Sequence, residues 1–87
     1  MTTDRSLKKI TDVLSIACHV PICDVCVLHH DDQHFEAYVH GTTWYSQHIY
    51  DVIVNTWNID EKNILIELSP KAGWPFGSNG YSIKVNY

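Results

Sequence analysis

Positive charge is scarce in this chain. Across 87 residues, six lysines and arginines face ten aspartates and glutamates, for a net charge of −4. A protein that grips nucleic acid or an anionic membrane through phosphates needs a basic face that displaces counterions. The imbalance therefore argues against both partners. Residues 1–41 hold Arg5, Lys8 and Lys9 against six acids, a local charge of −3, and residues 42–87 hold three lysines against four acids, or −1. Long apolar runs are missing as well: nothing approaches the roughly 18 residues of a membrane span. The opening MTTDRSLKKITD lacks the apolar centre of an export signal. Cysteine is limited to three residues. An odd count without an export signal predicts free thiols in a cytoplasmic setting.

Catalytic signatures are also lacking. There is no H-E-x-x-H, no G-x-S-x-G and no pair of carboxylates in a general acid/base setting. Gly77-Ser78-Asn79-Gly80 has neither the spacing nor the following helix of a phosphate-binding loop. An enzyme is not expected.

What is present reads as a single globular domain over residues 1–87. The chain is 45% hydrophobic and 18% charged, enough for one modest core and too short for two. Leu7, Ile10, Leu14 and Ala17 recur at helical spacing, with Val13, Ile16 and Cys18 widening the stripe. Thr2 or Thr3 is a candidate cap, Asp4 suits the first turn, and Pro21 ends the helical reading. From Asp24 to His40 the period is two. Val25, Val27 and His29 alternate with Cys26, Leu28 and His30, and Asp31-Asp32-Gln33 forms a turn. Phe35, Ala37 and Val39 then alternate with His34, Glu36, Tyr38 and His40. After Gly41, Thr42 or Thr43 caps a second helix bearing Tyr45, Ile49, Val52, Ile53 and Thr56. A third strand carries Ile64, Ile66 and Leu68, and a fourth carries Tyr81, Ile83, Val85 and Tyr87.

The predicted order is α-β-β-α-β-β, and its halves resemble each other. Ile10-Thr11-Asp12-Val13-Leu14 falls on Ile49-Tyr50-Asp51-Val52-Ile53 when 39 is added to the numbering. The second hairpin then needs seven more residues in its turn, which shifts Phe35, Ala37 and Val39 onto Tyr81, Ile83 and Val85. The pattern predicts tandem αββ units over 4–40 and 43–87 in an α+β fold. One four-stranded antiparallel sheet would carry both helices on one face. Its open face would hold His34, Glu36, Tyr38, His40, Ser82, Lys84 and Asn86.

All three cysteines and four of six histidines lie between Cys18 and His34. Cys18, Cys23, Cys26 and His29 supply the ligand types and number of a zinc site, which makes a zinc- or thiol-dependent module one alternative. The spacing is unfavourable, because Cys23 and Cys26 enter a strong strand former and no glycine bends the chain between them. The offset of 39 also sets Cys18 on Trp57 and Cys26 on Leu65, positions read as packing, while Cys23 meets exposed Lys62. No metal or other cofactor is therefore the first expectation. A Cys23–His40 nucleophile pair has no support beyond residue type. The histidines near Asp31, Asp32 and Glu36 could also form a proton-sensitive patch.

The stretch KAGWPFGSNG is turn chemistry, yet it carries Trp74 and Phe76 around Pro75. Such aromatics fold back on the core or anchor a partner. Trp44 and Tyr50 lie off the main stripe of the second helix and extend the same candidate surface. The expected function is a small protein-binding domain: an inhibitor, an immunity-type protein or a phage counter-defence factor. Its contacts would be Trp74, Pro75, Phe76, Trp44 and Tyr50, and a homodimer through a sheet edge or face is also expected as an option. A nucleic-acid module using Tyr38, Tyr81 and Tyr87 is a further alternative, weakened because Tyr81 and Tyr87 are predicted to point inward.

Overall fold

The computed structural model of the chain describes residues 4–40, 46–70 and 79–87. Helix α1 (Leu7–Cys18) leads through a 3-10 turn (Ile22–Asp24) into strands β1 (Val25–His30) and β2 (His34–His40). Helix α2 (Ser46–Trp57) leads through a second 3-10 turn (Glu61–Asn63) into β3 (Ile64–Pro70) and β4 (Asn79–Asn86). The four strands form one antiparallel sheet in the order β1-β2-β4-β3. This is the α+β class that the change of hydrophobic period predicts.

Helix α1 starts later than the threonines suggest. Ser6 is the cap, its hydroxyl accepting from the Lys9 amide at 3.2 Å. Asp4 precedes the helix and accepts from the Ser6 amide at 2.9 Å, which lowers its pKa below the usual carboxylate range. Thr2 and Thr3 lie outside the described residues, as do Thr42 and Thr43. The helix ends three residues before Pro21, because His19 turns left-handed at φ 56°. The amides of His19 and Val20 bond back to Ile16 and Ser15, a Schellman closure. Asn58 ends α2 with the same φ of 56°, its amide reaching the Val54 carbonyl at 2.8 Å.

One sheet face and both helices share a single core. Ile10, Val13, Leu14 and Ala17 of α1 and Ile49, Ile53 and Trp57 of α2 pack with Phe35, Ala37, Val39, Ile64, Ile83 and Val85. Phe35 is fully buried, with ring centroids 5.6 Å from Trp57 and 5.9 Å from Tyr87. The Trp57 indole N–H donates to the Asp4 carbonyl at 2.8 Å, tying the N-terminal segment across the end of α2. Adding 39 to the bounds of α1, of the first 3-10 turn and of the start of β1 gives those of α2, of the second turn and of β3.

Two expectations need correction. Cys26 and Leu65 do correspond by position, but neither packs: both are exposed on the sheet face away from the helices. His29 does not continue the inward row of Val25 and Val27, because β1 is bulged before it.

Candidate functional site

The bulge shapes the far end of the first hairpin. Val25, Cys26 and Val27 face Val39, Tyr38 and Ala37 in regular order, and His29 then faces Glu36. Leu28 is the extra residue, 61% exposed. One inserted residue reverses the facing of everything beyond it. His29 therefore joins Glu36, Lys84 and Leu65 in one row across the open face, while Cys26, Tyr38, Ser82 and Glu67 form the row beside it. Tyr38 is only 7% exposed. Its ring lies over Gly80, where an added Cβ would come within 2.8 Å of the ring and collide with the Val39 carbonyl.

Beyond the bulge, His34 also stands on the open face, and its ring stacks on that of His29 at 4.7 Å between centroids with 25° between planes. Asp31 closes the group. Its Oδ2 accepts from His29 Nε2 at 3.0 Å, and its Oδ1 lies 3.4 Å from His34 Nδ1. Oδ1 also accepts from the amides of Gln33 at 2.7 Å and His34 at 2.9 Å. Neither Asp32 nor Gln33 has a positive φ, so the tight mirror-image turn common in short hairpins is not used. The Asp31 side chain supplies the turn's hydrogen bonds instead. The Gln33 amide, then the His29 ring and the His34 amide, stabilise the charged carboxylate and hold its pKa far below the ordinary 3.8.

This end of the hairpin is fastened to both termini of the described chain. Arg5 donates to the Asp32 carbonyl at 3.1 Å, and the Tyr87 amide donates to the Gln33 carbonyl at 2.9 Å. The Arg5 guanidinium sits 4.1 Å above the centre of the Tyr87 ring. Burial pushes the Tyr87 phenol up to about 12 against the opposing pull of Arg5. Its hydroxyl is buried without a hydrogen-bond partner among the described residues. Arg5, Ser6, His30, Asp31 and Asp32 line an open groove at this end of the hairpin. The arrangement is a rigid turn that presents two imidazoles around one ionised carboxylate, a set suited to proton exchange or to cation coordination.

Among the described residues, His29, Asp31 and His34 are the trio of His, Cys, Asp or Glu side chains whose ligand atoms converge, all within 4.8 Å of one another. Of the cysteine-centred set read from the sequence, only His29 belongs to it. Cys18 is buried at the end of α1, Cys23 is exposed in the 3-10 turn, and Cys26 is exposed on the open sheet face. His40 ends β2 at the opposite end of that strand from His34. Trp44, Trp74, Pro75 and Phe76 lie outside the described residues. Tyr50 is half-buried against the core, and its hydroxyl accepts from the Ile66 amide of β3 at 3.2 Å. The signal that could have located the trio is H-H-D-D-Q-H itself, in which Asp at the turn and His three residues later are an Asx-turn pattern.

No protein-family model, curated protein or solved structure matches the chain.

Proposed function

We propose that this domain binds another protein by accepting an extended, apolar and basic segment of it along the free edge of β1, and so acts as an inhibitor or immunity-type factor. The observation that carries the reading is the difference between the two sheet edges. At β3 the Tyr50 hydroxyl occupies the Ile66 amide. At β1 no side-chain hydrogen bond to the strand's backbone is found among the described residues, and large apolar side chains flank it: Ile22 is 55% exposed and Leu28 61%. An open strand edge offers backbone hydrogen bonds for affinity, and neighbouring side chains set specificity. The charge of the occupant follows from residues 20–40, which hold Asp24, Asp31, Asp32 and Glu36 and neither lysine nor arginine. Complementarity favours a partner segment bearing Lys or Arg and speeds its encounter.

The aromatic stretch Trp74, Pro75 and Phe76, together with Trp44, is the second contact in this proposal, with a few large side chains supplying most of the binding energy. Random peptides displayed against the immobilised protein provide the test. Apolar-basic peptides should be enriched and should shift the amide resonances of Val25–Leu28. Leu28→Lys should remove their binding with little change in melting temperature. Enriched peptides that shift only residues outside β1, or that bind Leu28→Lys unchanged, would reject the edge. Trp74→Ala with Phe76→Ala should weaken the full-length partner without unfolding the domain.

A further inference from the structure

We infer that the end of the first hairpin is a binding site for a divalent transition metal of the zinc class, held by His29, Asp31 and His34. The proposal does not rest on the protein-binding reading: His29 belongs to β1, but its side chain stands on the open sheet face and not at the strand's hydrogen-bonding edge.

The argument begins with spacing. Four ligands at about 2.1 Å around a tetrahedral ion lie about 3.4 Å from each other. His29 Nε2 lies 3.0 Å from Asp31 Oδ2 and His34 Nδ1 lies 3.4 Å from Asp31 Oδ1, and one ligand atom from each of the three residues can be taken with all within 4.8 Å of one another. The His29 ring is exposed and the His34 ring half-buried, so rotation about their side-chain bonds is the movement that would close the remaining distance around an ion. The coordination chemistry is also balanced. His29 now donates its Nε2 proton to Asp31. Moving that proton to Nδ1 leaves a neutral imidazole with a free lone pair at Nε2, so one carboxylate and two neutral imidazoles face a divalent cation.

The second argument is support behind the ligands. A good metal carboxylate is oriented by hydrogen bonds on its other oxygen. Asp31 has much of that arrangement: two backbone amides hold Oδ1, which His34 also approaches, and Oδ2 is left facing His29 alone. The turn that carries it is itself fixed by Arg5 at the Asp32 carbonyl and by the Tyr87 amide at the Gln33 carbonyl. Little ordering is left for the ion to impose, which favours binding by a preorganised site. Imidazole with carboxylate selects zinc, copper, nickel or cobalt over calcium and magnesium, which prefer all-oxygen ligands. Three protein ligands leave at least one position open to water or to a donor from elsewhere.

The test is zinc chloride titrated calorimetrically into the purified full chain, with imidazole nitrogen shifts followed by NMR. The background is Cys23→Ser with Cys26→Ser, which removes the exposed thiols. The expected result is one ion per chain, with shifts at His29 and His34 and none at His19, His40 or His48. His34→Ala and His29→Gln should each weaken binding at least about tenfold, on the scale by which even supporting residues act. Asp31→Asn keeps the acceptor for the turn amides and should also weaken binding about tenfold or more while the fold, followed by circular dichroism, is retained. Binding that disappears in the double serine background would overturn the proposal. So would equal affinity in His34→Ala, or no saturation by about 1 mM zinc.

Discussion

Deleting Leu28 is a sharp test of how this hairpin is built. The paired residues on either side of the bulge are Val27 with Ala37 and His29 with Glu36. Removing Leu28 joins them into an uninterrupted ladder with every cross-strand pair kept and every side chain on its present face. The loss is the buried part of one leucine. At 61% exposure about two-fifths of the side chain is covered. Full burial stabilises by roughly 1.5–3 kcal/mol, so the loss is about 1 kcal/mol. Against this, one fewer residue has to be ordered, a saving of about 1–2 kcal/mol of backbone entropy. The deletion should therefore change stability by less than about 1.5 kcal/mol. For a domain of this size that is a shift in melting temperature within roughly 10 °C. Urea unfolding with an unchanged slope measures it, and cross-strand proton contacts between Val27 and Ala37 and between His29 and Glu36 report the register. The alternative, a β1 without a bulge, predicts a different outcome. Deletion there must turn Val25 and Val27, or the two histidines, to the opposite face. A loss above about 3 kcal/mol, or new pairing in place of His29 with Glu36, would refute the bulged strand and the site that depends on it.

Three further outcomes follow from packing and charge. Phe35→Ala empties the centre of the Phe35–Trp57–Tyr87 cluster and should cost about 3–5 kcal/mol in chemical denaturation, much of the stability of a chain this short. Tyr87→Phe removes a buried hydroxyl that has no partner among the described residues, so stability should hold or rise by up to about 1 kcal/mol; a clear loss would reveal a hydrogen bond at that hydroxyl. Asp31 has a folded pKa below its ordinary 3.8, so its contribution is complete above that value and is lost as the pH falls through and below it. Asp31→Asn should accordingly flatten the decline of melting temperature between about pH 4 and pH 2, and an unaltered acid limb would contradict the hydrogen bonding described for its carboxylate.

The fold was legible because burial dictates it at every step. The period changes from 3.6 to 2 where α1 gives way to β1, and the inward residues Phe35, Ala37, Val39, Ile83 and Val85 sit on the face their alternation predicts. The terminators were less legible. Pro21 is a visible stop, but the chain leaves α1 at His19, which like Asn58 belongs to the few residue types that enter the left-handed region, a weaker mark than the glycine common at such ends. Likewise the hydroxyl that caps α1 belongs to Ser6, and the nearby threonines carry the same chemistry one turn too early. The surroundings of Tyr50 are hard to read from sequence for a different reason. A tyrosine off the apolar stripe can be free, or can use its ring to pack and its hydroxyl to satisfy a strand amide, and only the position of β3 distinguishes the two.

The histidine cluster was hidden by strict alternation. Counting by twos from Val25 sends His29 toward the helices and His34 away from them, so the two rings cannot meet. A single extra residue, exposed Leu28, reverses that parity and stacks the rings. The sequence carries no strong mark of the bulge, since leucine is an ordinary strand residue and no glycine signals a break. The mark lies in composition beyond it: strict alternation would aim His29 at the core, where an imidazole needs a partner that the surrounding apolar residues do not offer. The bulge removes that conflict and gives His29 the Asp31 carboxylate instead. Cys26, two residues before the bulge, keeps the face that alternation gives it and stands on the open face one row from His29. Of the cysteines and histidines clustered in the sequence, Cys26, His29 and His34 therefore share one surface, and the carboxylate of Asp31 decides which of them a metal would meet.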